Sequence, residues 1–575
     1  MKLLWLLLLS TTSNLTLARD DSAINFIKQY IGNEDKPTFF VCDNLCWKNN
    51  EKLKLFKELS NPGIRSSSNF EEMSYLQDHA LLFFVDLDCP NAKYAFNVTR
   101  ILRSPYRWLA IHDQNQDKTN IDLLWDIPLL ADSDFVFAKR IGDNFTLTEL
   151  HKASPKGPTY SNVRGYYDGT LRDTRPNREL FRRRKDIMGH PLTMDNVIQD
   201  SNSSMYHLPR EDRLELQHDS FAKLSWMNVR IAFEMLNATP QYIFSFRFGY
   251  RNNGTWSGMI NNLKTGKADL GTNCVANSER LEVVVFTDAI AKFRVKFIFR
   301  QPPLAYVANI FTLPFSINVW IALIDQSQLD GSVGDAILLT MSAFSQQGCS
   351  KEPKNISGRI ILWVVFTALM ALYAAYSANI VVLLQGSSSS ITTLEQLANS
   401  DLTLGALDVD YNHFVLESQK DSIREKIYKK VEPEKGKGHF YSLNDGIEKI
   451  RKGLFAFHAI SEQVFRGVEN TFLEIEKCDL MEVAFLNVME PYVPVYKHLP
   501  YLELLRVAFK RIHESGIRVA LNKRVHIPKP RCSDKAAAFS SVTFRNIRPL
   551  VFFMVYGVLV SVAILAMEVV THNLM

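Results

Sequence analysis

Long uncharged runs and mixed polar blocks alternate along the chain. Residues 360–384 (IILWVVFTALMALYAAYSANIVVLL) carry no charge over 25 positions, about 37 Å as a helix, enough to cross a bilayer with tilt. Residues 549–567 are uncharged over 19 positions, follow Arg545 and Arg548, and predict a second span before Glu568. Residues 304–324 lack formal charge but contain Pro314, which removes a backbone donor and interrupts a helix. Only ten residues then remain before Asp325, about 15 Å of helix, so this segment predicts a truncated span. Residues 336–344 are apolar but too short to span, and suit either a re-entrant segment or a core helix. At the start, Lys2, an apolar stretch from Leu3 to Leu9 and small residues toward Ala18 predict a cleavable signal peptide over 1–18.

The polar blocks before and after the strong span are long enough for separate domains, as a 575-residue chain leads one to expect. A net charge of +5 is too small to argue for nucleic acid as a partner. The densest basic cluster, Arg182-Arg183-Arg184-Lys185, reads as a solvated face or linker. Secretion agrees with five sequons between the expected signal peptide and the middle of the chain, at Asn97, Asn144, Asn202, Asn237 and Asn253. The seven cysteines then favour disulfides over zinc. Two of Cys42, Cys46 and Cys89 are expected to pair, with one left over; neither a metal nor a cofactor is expected. No zinc-protease, P-loop or nucleophile-elbow motif is present, so an enzyme is not expected.

The order of parts, and several motifs within it, resemble the ionotropic glutamate receptor family from about Arg182 to the C terminus. SAFSQQGCS (342–350) resembles its pore-loop apex, SGRII (357–361) the start of its third membrane segment, and AYSANIVVLL (375–384) its gate signature. GTWSGMINNLKTGKADLG (254–271), NDGIEKIRKG (444–453) and IHESGIR (512–518) resemble pieces of its ligand-binding lobes. The resemblance implies a membrane α-helical channel joined to α/β domains. These are a mixed α/β N-terminal domain (19–177) and a two-lobed, periplasmic-binding-protein-like ligand domain. Its lobes would come from 178–303 and 386–545. The membrane part would comprise a truncated first segment (304–324), a re-entrant pore loop (335–350), a gate helix (359–385) and a last span (549–569) with a cytoplasmic tail (570–575). Gln346, Gln347 and Gly348 would form a neutral pore apex, and Tyr376, Ser377, Ala378 and Asn379 the gate, where small residues allow close helix approach. Cys478 and Cys532 match the family's second-lobe disulfide.

The pocket departs from the glutamate-binding pattern. Counting back from Phe286, Arg280 takes the place of the arginine that clamps a ligand carboxylate, although Cys274-Val275-Ala276 replaces the usual Pro-Leu-Thr. The other reading of Arg280 is a surface salt bridge. Asp408, Asp410, Tyr411 and Asn412 stand where a Ser-Thr pair is usual. The acidic amine holder is replaced by Ile460, and only a two-residue shift brings in Glu462. An apolar side chain cannot hold an ammonium, so an α-amino acid is not expected. A small acid or another volatile polar molecule is. His458 is either a ligand contact titrating near neutral pH or a structural histidine.

The altered pocket and short N-terminal region resemble the insect antennal ionotropic receptors, and RRRKDIMGHPL (182–192), VYKHLPYLELL (495–505) and VVLLQ (381–385) their tuning subunits. That implies a chemosensory, ligand-gated cation-channel subunit at the plasma membrane of a sensory neuron, including its cilia. It would be multi-pass with an extracellular N terminus, in contact with membrane lipid, and would work with a co-receptor subunit in a hetero-tetramer. The alternative is a non-conducting or regulatory ligand-binding subunit, motivated by the short first span; a synaptic-type glutamate receptor fits less well.

Overall fold

The computed structural model describes residues 21–302, 356–385, 391–531 and 544–574. It has breaks at 34–35, 43–44, 74–79, 91, 98, 115–122, 210–214, 292–293, 420, 435 and 487–490, and adds the isolated residues 342, 345 and 347. The expected signal peptide, the first membrane segment, Cys532 and, within the pore loop, Gln346 and Gly348 lie outside the described residues. The chain divides into two compact units, Met1–Phe293 with Met489–Val525, and Arg294–Val488 with His526–Met575.

The first unit opens with an eight-stranded sheet in the spatial order Arg65–Ser67, Phe39–Val41, Leu81–Asp86, Arg107–Asp113, Asp134–Ile141, Asn144–Lys152, Thr159–Tyr167, Leu171–Asp173. Its first five strands are parallel and the rest antiparallel. The pattern is legible in the residues. LLFFVD (81–86) is buried at every position, as a parallel strand covered on both faces requires. Separate apolar clusters, around Phe26 and Phe84 and around Phe83 and Trp108, do the covering. The change to antiparallel pairing comes at the two-residue turn Gly142-Asp143, where Gly142 takes φ 64°. Cys46 pairs with Cys89 across 43 residues, a loop closure worth about 4 kcal/mol against the unfolded chain. Cys42, the third cysteine of the set, is buried in the same core and lies outside this disulfide.

The same unit carries a five-stranded sheet in the order Thr239–Ser245, Pro191–Val197, Leu270–Gly271, Pro494–Tyr496, Val284–Phe286. The second unit carries another, in the order Phe440–Tyr441, Thr403–Leu407, Phe455–Ile460, Val295–Arg300, Leu480–Ala484. Each sheet therefore borrows one strand from the far side of the sequence. This corrects the expected lobes: 295–300 belong with the second sheet rather than the first, and 489–525 with the first rather than the second. Helix Leu502–Glu514 explains the second exchange. Leu504, Leu505, Ala508, Phe509 and Ile512 form one apolar stripe, and it joins the first sheet's core beside Trp226 and Phe233.

Helices Ile356–Gln385 and Phe544–Leu574 run 30 and 31 residues. Within the first, Leu362–Val381 is long and apolar enough to cross a membrane; the apolar part of the second is Val551–Met567. Trp363, Met370, Phe553 and Tyr556 are exposed, the all-round apolar surface expected of a helix in lipid or against other membrane helices. Ser377 donates its hydroxyl proton to the Ala374 carbonyl at 3.0 Å, while Ala378 and Asn379 are exposed and Tyr376 half-buried. At the expected pore apex, the Gln347 amide donates to the Ser342 carbonyl at 2.8 Å.

The basic cluster is not a solvated face throughout. Arg182 is exposed, but Arg184 is buried on helix Leu180–Arg184 and Arg183 is nearly so, both paired with Glu149 of the N-terminal sheet. Of the sequon asparagines, Asn144, Asn202, Asn237 and Asn253 are exposed; the Asn97 side chain lies outside the described residues.

Candidate functional site

In the first unit, the short helix Ser278–Leu281 positions Arg280. Asn277 caps it, its side-chain oxygen accepting from the Arg280 amide at 2.9 Å. The preceding segment is pinned to the returning chain by paired backbone hydrogen bonds between Cys274 and Tyr492. Arg280 is buried, and its guanidinium donates to the carbonyls of Val275 at 2.8 Å and Gly249 at 3.0 Å; its Nε–H has no partner. Gly249 sits at φ 118°, and a Cβ there would lie 2.7 Å from both Ile260 Cβ and the Ser257 carbonyl oxygen, so only glycine fits this close approach. Cys274 lies beside the guanidinium. Burial nevertheless pushes its thiol up to about 11, so it is neutral. Among the described residues no carboxylate pairs with Arg280. The surface-salt-bridge reading is thus excluded, since the residue is neither exposed nor ion-paired.

In the second unit, parallel strands Thr403–Leu407 and Phe455–Ile460 set Ala406 beside His458. Helix Asp410–Ser418 begins just after the first of them. Asn412, on its first turn, donates to the carbonyls of Leu407 at 2.9 Å and His458 at 3.4 Å. His458 Nδ1 stands 3.1 Å from Asn412 Oδ1, an atom that only accepts, so Nδ1 carries the proton. The imidazole lies among Phe297 and Phe485, with ring centroids 4.8 and 5.4 Å away. Burial pushes its pKa down to about 3. The expected titration near neutral pH is therefore overturned: His458 is a neutral, structural histidine locked to Asn412.

The remaining candidates separate. Asp408 is exposed and paired with His413 at 2.9 Å. Asp410 opens the helix, and Tyr411 packs against both apolar clusters of the second lobe. Ile460, at the expected acid position, ends its strand and precedes helix Ser461–Thr471. Glu462 is buried in that helix's first turn; burial raises its pKa, Arg294 and Lys296 oppose the rise, and its Oε2 has no partner. Asn412 and His458 are brought together; Arg280 belongs to the other unit. Cys478 is disulfide-bonded, with its partner outside the described residues. The supporting residues Asn277 and Gly249 were not singled out by sequence. A capping asparagine two positions before a possible first-turn residue was the available signal for one of them.

The chain matches the family model described as ligand-gated ion channel over residues 310–561. It is 24% identical to ionotropic receptor 75a of Drosophila sechellia over 622 aligned positions, covering 92% of this chain and 96% of that one, and equally to its Drosophila melanogaster counterpart. It is also 21% identical to human glutamate receptor 3 over 56% of this chain and 41% of that protein. Residues 310–561 are thus similar to the ligand-gated ion channels, and most of the chain is similar to ionotropic receptor 75a.

Proposed function

We propose that this protein is a chemosensory ligand-gated cation-channel subunit that detects a small carboxylic acid, with closure of its two lobes on the ligand opening the pore. The observation that carries the reading is the similarity to ionotropic receptor 75a along nearly the whole of both chains. The choice of ligand rests on Arg280, a buried guanidinium with an unused Nε–H and no carboxylate partner among the described residues. Guanidinium geometry suits a carboxylate. Two features weigh against glutamate. Ile460 offers nothing to an ammonium. Asp408 and Asp410 place negative charge at the start of helix Asp410–Ser418, where a second ligand carboxylate would otherwise be favoured. Asp408, Asp410 and Tyr411 are assigned to the pocket rim, Asn412 and His458 to its support, and Gln346, Gln347 and Gly348 to the pore. Cys532 is the proposed partner of Cys478. A co-receptor subunit is proposed to complete a hetero-tetramer in the plasma membrane of an olfactory neuron.

A second reading, a non-conducting ligand-binding subunit, is favoured by one observation. The alignment with ionotropic receptor 75a spans 622 positions, more than the 575 residues of this chain, so that relative carries segments this chain lacks. A shortened first membrane segment is one place for such a loss.

The test is electrophysiology of the chain with a co-receptor, with surface labelling alongside. Arg280→Ala is expected to abolish acid-evoked current or raise the half-maximal concentration by about tenfold or more, with surface expression retained. An unchanged acid dose-response removes Arg280 from the pocket. Normal surface expression of the unsubstituted chain without current beside any co-receptor selects the non-conducting reading.

A further inference from the structure

Strand Val295–Arg300 is the last element of the second lobe before the apolar segments at 304–324, 336–344 and 360–384. Ile391 is the first described residue after helix Ile356–Gln385. Gln301 ties the outgoing and returning ends together. Its backbone amide donates to the Asp479 carbonyl at 2.8 Å, one step beyond the Arg300–Leu480 pair of the ladder with strand Leu480–Ala484. Its side-chain amide donates to the Ile391 carbonyl at 2.7 Å, across 90 residues of sequence. Both residues are buried. Gln301 Oε1 is also buried and has no partner among the described residues. Leaving a buried oxygen unserved is costly, so an apolar side chain of the same size would fill this place better if packing were all that it did.

The rest of the returning segment is fixed on the same lobe. Ile391 packs in the apolar cluster of Phe297, Phe299 and Leu397. The amides of Thr392 and Thr393 donate to Gln396 Oε1 at 2.9 and 3.1 Å, and Thr393 caps helix Leu394–Asn399. Helix Ile356–Gln385 ends six residues before Ile391, so no more than about 22 Å of chain joins them. Displacement of the lobe therefore reaches the helix end through a short tether whose lobe end is pinned.

We propose that Gln301 is a positioning residue that couples the second lobe to helix Ile356–Gln385. It clasps the outgoing and returning ends of the membrane portion to one place on the lobe, so that movement of the lobe is passed to the helix end and not lost in sliding of one end against the other. What the coupling achieves rests on the channel reading proposed above; the clasp itself does not. A single neutral hydrogen bond carries it, which one substitution can remove.

Gln301→Met keeps the size and removes the donor, while Gln301→His places a ring N–H at about the same reach and restores it. Hydrogen exchange of the full-length receptor in nanodiscs reads the amides of 391–400 and needs no current. In Q301M they are expected to exchange about three- to tenfold faster, and in Q301H at close to the unsubstituted rate. Current is recorded beside a co-receptor, with straight-chain carboxylic acids of two to six carbons as probes and surface labelling for normalisation. Its maximum is expected to fall below about half in Q301M and to recover in Q301H. A merely structural role would lower surface expression and melting temperature but leave the maximal current per surface receptor unchanged. Where Met at this buried place impairs surface expression, Gln301→Ala removes the same donor without bulk and carries the comparison. Unchanged exchange over 391–400 in Q301M overturns the clasp, and faster exchange with an undiminished maximal current overturns the coupling. Absence of current from the unsubstituted chain overturns the channel reading instead, and the exchange measurement then decides the clasp by itself.

Discussion

Arg184 and Arg280 lie in the same compact unit and are nearly equally buried, at 4% and 8% exposure. At the domain junction, Arg184 meets a carboxylate, Glu149, and also donates to the carbonyls of Ala131 and Ser133. In the first lobe, Arg280 donates to the carbonyls of Val275 and Gly249 and lies beside Cys274, with no carboxylate partner among the described residues. Only the first has a carboxylate beside it, shared with Arg183. A buried charge without a counter-charge is costly. Such a group persists where a partner arrives later, and at Arg280 the proposed partner is the ligand. The junction already holds its carboxylate; the lobe site is proposed to receive one from the ligand.

The largest effect that tests this contrast is at Glu149. Its two arginine partners hold its carboxyl down to about 2, despite burial. Glu149→Gln leaves two guanidinium groups uncompensated and is expected to cost about 3–5 kcal/mol in chemical or thermal unfolding of the solubilised receptor. Arg280→Ala strands no carboxylate and leaves two carbonyls short of donors, so it should cost less, about 1–3 kcal/mol. Equal or reversed costs would break the comparison.

These two sites also show what was legible in the chain. The two long apolar helices stood out because uninterrupted apolar runs declare themselves locally. The lobe motifs stood out likewise, and Arg280 could be reached by counting from Phe286. The junction could not be reached so easily, because Arg183 and Arg184 look like a solvated patch until Glu149, 34 and 35 residues away, is placed beside them. A signal did exist: in NFTLTELHK, Glu149 shares the alternating register of Phe145 and Leu147, an acidic residue in an apolar slot. The exchange of strands 295–300 and 494–496 had no local signal at all. Antiparallel pairing between segments some two hundred residues apart is decided by packing, as the stripe on helix Leu502–Glu514 illustrates. His458 was legible as a histidine in an apolar strand, but its neutrality follows from Phe297 and Phe485, which only the fold supplies.

The contrast between paired and unpaired buried groups extends to pH. His458 has a folded pKa of about 3, below the ordinary value of 6.5. Its contribution is therefore fully present above pH 6.5 and is lost as pH falls from 6.5 toward 3, by about 1.4 kcal/mol per pH unit. Glu149 behaves differently: its contribution is full above 4.5 and is lost between 4.5 and about 2. Glu462, with a raised pKa, works in the opposite sense to both, gaining stability on acidification. The part due to His458 is thus read as a difference between variants. His458→Gln should flatten the loss between pH 6.5 and 4.5, while Glu149→Gln should leave that window unchanged. Parallel slopes for the unsubstituted protein and His458→Gln would mean that His458 is protonated in the fold.

The smallest expected effect concerns the exposed counterpart of these buried groups. Asp408 Oδ1 lies 2.9 Å from His413 Nε2, with side chains 63% and 45% accessible, and His413 also stacks on Phe440 with ring centroids 3.8 Å apart. Solvent screens such a pair, so Asp408→Asn should change unfolding by less than about 0.5 kcal/mol. Its effect on ligand response has a definite sign under the acid-binding reading. Removing negative charge from the rim relieves repulsion of an incoming carboxylate and lowers the half-maximal acid concentration by about two- to threefold. A cationic or amine ligand would respond in the opposite direction, because Asp408 would then be its attractor. The same dose-response curve therefore reports the charge of the ligand that Arg280 is proposed to hold. A rightward shift with acids, at unchanged surface expression, would assign Asp408 an attractive role and remove the acid from the pocket.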